Sequence, residues 1–341
     1  MPPPPSQLGL CGSVVGRSHE CDHAEVAGAR VVTSDKLGGG ADRDVDMAMR
    51  GQASHLRGLG AAGGAAAVLP WLELNLGVYR TDVEALVGLG PDIVLTQVQG
   101  LGASPGMLER VEEALSQRAG RRVGVVHLAA ADLEGSMRDV EAIAGAAGRA
   151  REGGELVARL RRRMQFAADC SRGRPRRRVA CLQWADPVYP AGGWAPELIR
   201  MAGGVDCLGQ AAAASPSGTV SLDAVASAAP DVVLLAVCGV GLRANQRHAG
   251  RLARELRPRL APPDPAGQAP AAGGAAFASC DGTRMLSRPG PLLVDSLEML
   301  VEILNPEAQS YGRAGRDWAW ADEGLGQGAG EAGRGGAPAH A

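Results

Sequence analysis

The sequence predicts an α/β protein of two small lobes, each built on a mostly parallel sheet, joined by one long bridging helix. Three observations carry that prediction. Short β-branched runs bounded by Gly, Pro or Asp alternate with helical stretches. The pattern Leu89-Gly90-Pro91-Asp92-Ile93-Val94-Leu95 returns as Ala228-Ala229-Pro230-Asp231-Val232-Val233-Leu234: a helix ends, Pro-Asp turns, and a buried strand begins. Between these near copies lies a proline-free stretch rich in Ala, Glu, Leu and Arg, from about Asp132 to Ala168, which unbroken would make a helix on the order of 50 Å long.

The first half supplies strands at Val14-Val15-Gly16, Val31-Val32-Thr33, Pro91 to Gln97 and Val123 to His127, with a helix from Asp82 to Leu89. The second supplies strands at Arg178 to Gln183 and Pro230 to Ala236, and helices at Pro196 to Ala202 and Ser221 to Ala228. The expected organisation is an N-terminal lobe over 1–128, a bridging helix over 129–170, and a C-terminal lobe over 171–305. Arg243 to Ala276 reads as a low-complexity insertion with a short basic helix around Arg247 to Arg257, and 306–341 as a disordered tail.

Composition narrows the function. The 341 residues carry a formal net charge of -2, so there is no basic field for nucleic acid. Seven cysteines without a CxxC pair argue against a disulfide framework or structural zinc. The start, Met1-Pro2-Pro3-Pro4-Pro5-Ser6, lacks the basic and apolar regions of an export signal, and no apolar run is long enough to span a bilayer, so the chain reads as neither exported nor anchored.

Aromatic residues make up only 3% of the chain. Two of its tryptophans nonetheless fall close together in Trp184-Ala185-Asp186-Pro187 and Gly192-Gly193-Trp194-Ala195-Pro196-Glu197, after the strand-like run Val179 to Gln183. A loop of this composition suits the display of flat aromatic faces to a bulky ligand. Gln97 and the pair Cys238-Gly239 each follow a predicted parallel strand, at the carboxyl end where open α/β sheets bind ligands. A competing signal is His19-Glu20-Cys21-Asp22-His23, which fits HExxH; zinc hydrolysis would need both histidines on one face of a helix.

The order Gly16-Arg17-Ser18-His19-Glu20-Cys21-Asp22, then Val78-Tyr79-Arg80-Thr81-Asp82, then Trp184 to Gly204, then Arg288-Pro289-Gly290-Pro291 resembles the vitamin B12-binding type of ABC-transporter substrate-binding protein, of the Fe/B12 periplasmic-binding family. The resemblance runs from about Gln7 to Leu304. It implies the class III periplasmic-binding-protein fold, with ligand held between two lobes. It also implies a non-catalytic role: carrying cobalamin or a related corrinoid, tetrapyrrole or iron chelate for uptake, with an ABC-transporter permease as partner, no catalytic cofactor and no metal site. Carried over position by position, the ligand contacts are His19, Glu20, Asp22, Tyr79 and Gln97 from the first lobe, and Trp184, Trp194, Glu197, Cys238, Gly239 and Asp281 from the second.

The chain also departs from the family. Relatives have a strand ahead of the position of Gly12, and this chain starts after it, so the first lobe is expected to lack its opening strand. Gln99-Gly100-Leu101-Gly102 stand where the family tends to have a cysteine pair, and Thr283-Arg284-Met285-Leu286 replace an aromatic pair. Family membership implies a periplasmic or extracytoplasmic location, which the N-terminus by itself does not indicate. Structural roles stand beside the functional ones: Tyr79 capping a helix start, Trp194 packing over Ala202-Gly203-Gly204, Cys238 as a small buried hydrophobe, and Glu197 favouring a helix N-terminus. The alternatives are a zinc-dependent hydrolase using His19, Glu20 and His23, or a family member without ligand serving as an interaction scaffold.

Overall fold

The computed structural model describes residues 5–35, 79–97, 107–209, 218–260 and 274–321. The chain divides into two compact units, one of Met1–Phe166 with Arg288–Val294, the other of Ala167–Ser287 with Asp295–Ala341.

In the first unit, β1 (Gly16–Arg17) pairs in parallel with β2 (Arg30–Val31), and β3 (Thr33–Asp35) runs antiparallel to β4 (Tyr79–Thr81). Helix α1 (Val83–Gly88) starts where Asp82 caps it by accepting a bond from the Ala85 N–H at 2.8 Å. Gly90, at φ +61°, turns the chain into β5 (Ile93–Gln97). After α2 (Met107–Ala119), β6 (Gly124–Leu128) pairs with β5 in parallel. Among the described residues these strands form three pairs, two of them parallel, in keeping with the mostly parallel α/β class expected.

The predicted bridging helix is two helices, α3 (Leu133–Ala146) and α4 (Ala150–Cys170). Gly148, at φ +68°, ends the first one. The Arg149 N–H bonds the Ala144 carbonyl at 2.7 Å and the Gly148 N–H bonds that of Gly145 at 3.1 Å, the paired bonds of a Schellman stop. The chain then folds back. Leu156, Val157 and Leu160 of α4 share a core with Met137, Val140 and Ile143 of α3. Gly153 permits the close approach, since a Cβ there would lie 2.3 Å from that of Ala144.

The second unit holds a six-stranded sheet. Its strands are β7 (Arg177–Ala185), β8 (Val188–Pro190), β9 (Gly204–Asp206), β10 (Val232–Leu235), β11 (Ala276–Cys280) and β12 (Trp318–Trp320), in the order β12-β11-β10-β7-β8 with β9 also on β7. β9, β7, β10 and β11 are parallel; β8 and β12 run antiparallel at the edges. All four residues of β10 are buried, as a central parallel strand requires. Helices α5 (Ala195–Met201) and α6 (Leu222–Ser227, capped by Ser221) match their predicted positions. The supposed insertion opens with a 19-residue helix, α7 (Leu242–Leu260), whose Ala249, Leu252, Ala253 and Leu256 pack on the core; 261–273 lie outside the described residues.

Residues 306–321, expected to be disordered, are folded onto α8 (Leu292–Leu304). Arg313, 6% exposed, bonds Asp317 at 2.9 Å and Asp295 at 2.8 Å, and also Glu298. Glu302 accepts from the backbone N–H groups of Tyr311 and Arg313 and from the Trp318 indole at 2.9 Å. These partners lie up to 18 residues from Arg313, so local composition does not reveal them. Burial opposes the charge of Asp317, but bonds from Arg316 and Arg313 more than offset it and hold the carboxyl below its ordinary value. The folded-state pKa being the lower one, this charge stabilises the fold above the ordinary aspartate value of about 3.9, and that stability is lost as pH falls through the folded value. Arg313→Ala is expected to cost ~3–5 kcal/mol in urea unfolding at neutral pH, because buried carboxylates lose their partner, and to reduce the acid dependence of stability.

Candidate functional site

The register of the second unit's sheet sets the ends of three parallel strands side by side. Leu235 of β10 lies opposite Leu182 of β7 and Ser279 of β11. Cys238, Gly239, Asp281 and the Trp184-Ala185 end of β7 therefore share one carboxyl edge, where an open α/β sheet presents its loops to a ligand.

A buried amide fixes this edge. Asn245, fully buried in the first turn of α7, directs its Nδ2 at the carbonyls of Val237 (3.3 Å), Val240 (3.0 Å) and Cys280 (2.9 Å). The Gly239 N–H bonds the Gly282 carbonyl at 3.0 Å, and the Gly282 N–H bonds that of Val240 at 2.9 Å. Only glycine fits at 282, since a Cβ would lie 1.9 Å from the Val237 carbonyl oxygen. Asp281 accepts from the backbone N–H and hydroxyl of Thr283 at 3.0 and 2.6 Å, which shapes its own turn. Cys238 is exposed on this edge, not the small buried hydrophobe that was its structural alternative.

Trp184 lies inside β7 and not in a loop, directly opposite Tyr189 of β8. Residues paired across antiparallel strands point to the same face, so the half-buried Trp184 and Tyr189 share one face at the carboxyl edge, where Trp184 also packs against the second unit's core. The Trp184 indole N–H is buried and meets no acceptor among the described residues. Trp194 corrects the prediction. It is 7% exposed and its indole N–H donates to the Leu286 carbonyl at 2.7 Å, so it is a packing residue and not an open stacking face. Glu197, half-buried in the first turn of α5, sits 4.0 Å from Arg200.

In the first unit, His19 and Glu20 form a turn after β1, and Cys21 to His23 lie in no helix, so the HExxH residues do not share a helix face as a zinc hydrolase requires. The His19 backbone N–H and ring Nδ1 meet the Thr33 hydroxyl at 3.0 and 2.6 Å, and its Nε2 lies 3.7 Å from Glu20. Asp22 pairs with Arg288 at 2.9 Å. Burial lowers the pKa of His23 against the opposing influence of Asp22 and Glu25. No group of three or more His, Cys, Asp or Glu among the described residues is placed to hold a metal ion. Tyr79 pairs with Asp35 and Gln97 with Leu128 by backbone register; both side chains, and Gln99-Gly100-Leu101-Gly102, lie outside what is described.

Sequence reasoning missed Tyr189, Thr33 and Asn245. The extended run Val188-Tyr189-Pro190 signalled a strand beside Trp184; Asn245 gave no local signal, because its partners are fixed by sheet register.

The profile of the periplasmic binding protein family matches residues 75–251, half of the chain. The chain belongs to the periplasmic binding protein family. No curated protein matches it. Among solved structures it is similar to a possible iron-binding, periplasmic solute-binding protein of Staphylococcus epidermidis, with 15% identity, TM-score 0.55, and 87% of this chain and 92% of that one covered. Weaker likenesses are to a periplasmic haem-binding protein of Pseudomonas aeruginosa (22% identity, TM-score 0.47, 67% and 77% covered) and a periplasmic vitamin B12-binding protein of Vibrio cholerae (18%, 0.45, 65% and 76%). At these identities the likeness is one of fold. A periplasmic binding protein holds a solute without transforming it, and no helix among the described residues is long and apolar enough to cross a membrane.

Two substitutions test the packing roles of Asn245 and Trp194 in this periplasmic binding protein. Asn245→Asp turns a donor toward three carbonyls into an acceptor and is expected to lower stability by roughly 1–3 kcal/mol in chemical unfolding. Trp194→Phe is expected to cost a similar amount, because it strands the Leu286 carbonyl.

Proposed function

We propose that this protein binds a tetrapyrrole-class metal chelate, cobalamin or a related corrinoid in first place, and delivers it to an ABC-transporter permease. The observation that carries the reading is the facing, half-buried pair Trp184 and Tyr189 at the carboxyl edge of the second unit's sheet, the edge that also bears the loops of Cys238-Gly239 and Asp281. A broad macrocycle with amide edges asks for flat apolar faces to cover it and a few polar groups to orient it, and this edge offers both. Glu197 adds a carboxylate on the same unit. In the first unit the same reading assigns His19, Glu20 and Asp22, with Tyr79 and Gln97, as ligand contacts.

The neighbours' printed ligands are iron, haem and vitamin B12, of which haem and vitamin B12 are macrocyclic metal chelates, and family membership supports carriage over catalysis. The extracytoplasmic location usual for the family belongs to the same proposal.

Purified protein mixed with cyanocobalamin and passed through a gel-filtration column is expected to carry the colour with it, and Trp184→Ala to weaken binding roughly tenfold in an absorbance titration. Co-elution of haemin or a ferric hydroxamate in place of cyanocobalamin would keep the class and correct the ligand. If none of the three co-elutes, the proposal fails.

A further inference from the structure

Helix α7 carries a row of arginines on the ridge opposite its buried face. Asn245, Ala249, Leu252, Ala253 and Leu256 point inward, while Arg243, Arg247, Arg251 and Arg254 are all exposed on the other side. Spacings of four, four and three residues keep the four guanidinium groups in line over about 17 Å. Like charges one turn apart repel, by a few tenths of a kcal/mol per pair in an isolated helix, so the row weakens the helix that bears it.

Many arginines elsewhere have internal partners. In the same helix, Arg259 pairs with Asp223 at 3.0 Å and Arg257 lies over the Phe277 ring at 5.3 Å. In the first unit, Arg118, Arg121, Arg149, Arg151 and Arg161 each face a carboxylate. The four ridge arginines make no ion pair among the described residues, and Glu255 is the helix's one acidic side chain. A protein of net charge -2 thus lines up four exposed positive charges along one ridge.

We propose that this ridge docks the protein on an anionic phospholipid surface. Arginine's planar fork matches phosphate oxygens, and a bilayer offers phosphates across a plane without demanding shape complementarity. The exposed ridge carries no aromatic or large aliphatic side chain, so it lacks the apolar centre of a protein interface and the stacking groups of a single-stranded nucleic-acid groove. Contact through four charges without an apolar anchor is weak, reversible and sensitive to salt. It would hold a solute carrier near a membrane independently of the solute it carries.

The test is sedimentation of the full chain with vesicles of phosphatidylcholine alone or of phosphatidylcholine mixed with phosphatidylserine. Binding is expected only to the mixed vesicles, and to fall steeply as salt rises. Each ridge arginine replaced by Gln should weaken it roughly fivefold, and the Arg243→Gln, Arg247→Gln, Arg251→Gln, Arg254→Gln combination should abolish it. Gln is a comparable helix former, so circular dichroism should show that variant folded. A control with Arg118, Arg122, Arg138 and Arg151 replaced by Gln removes the same charge elsewhere and should keep most of the binding. Equal loss in the control, equal binding to both vesicle types, or a ridge-dependent preference for an oligonucleotide over the mixed vesicles would overturn the proposal.

Discussion

Three carbonyl groups, of Val237, Val240 and Cys280, converge on the amide of one buried asparagine, Asn245. A carbonyl taken from water without a donor costs on the order of 1–3 kcal/mol, so that amide lets two loops turn sharply at the end of a buried sheet. Gly282 completes the constraint, because no side chain fits between it and Val237. The positions of Cys238, Gly239 and Asp281 follow from these contacts. Beside them, β8 brings Tyr189 up to Trp184. The surface assigned to the ligand is thus the end of a rigid sheet, locked from beneath.

The elements that the sequence made legible are those with local causes. Asp82 and Ser221 announce helix starts, because an N-cap acts within three residues. The Pro-Asp turns ahead of β5 and β10 mark strands that the structure confirms. Misreadings arose where the cause was distant or where one residue outweighed a pattern. Gly148 split a helix whose composition read as continuous. Trp194 looked exposed because its acceptor, the Leu286 carbonyl, is 92 residues away. Residues 306–321 looked like tail because a Gly- and Ala-rich composition hid Arg313 and the Trp318–Trp320 pair, whose rings stack edge to face at 5.1 Å.

The candidate site was legible in part. Residues at strand ends could be named from position alone, and Trp184, Cys238, Gly239 and Asp281 do meet on one edge. The HExxH match shows the converse: the spacing of a motif carries chemistry only on the backbone that the chemistry needs, and His19 to His23 lie in no helix. Charge usage adds a distinction invisible in the net value of -2. Arg313 is buried among carboxylates that anchor β12, whereas Arg243, Arg247, Arg251 and Arg254 of α7 face outward with no ion pair among the described residues.

The central claim is that solute meets this protein at the carboxyl edge of the second unit's sheet. Backbone hydrogen exchange, followed residue by residue with and without cyanocobalamin, tests it most directly. The account predicts slowed exchange in Trp184 to Tyr189, Val237 to Gly241 and Asp281 to Thr283, with α4 and α8 unchanged. Protection confined to other segments while cyanocobalamin is bound would contradict it.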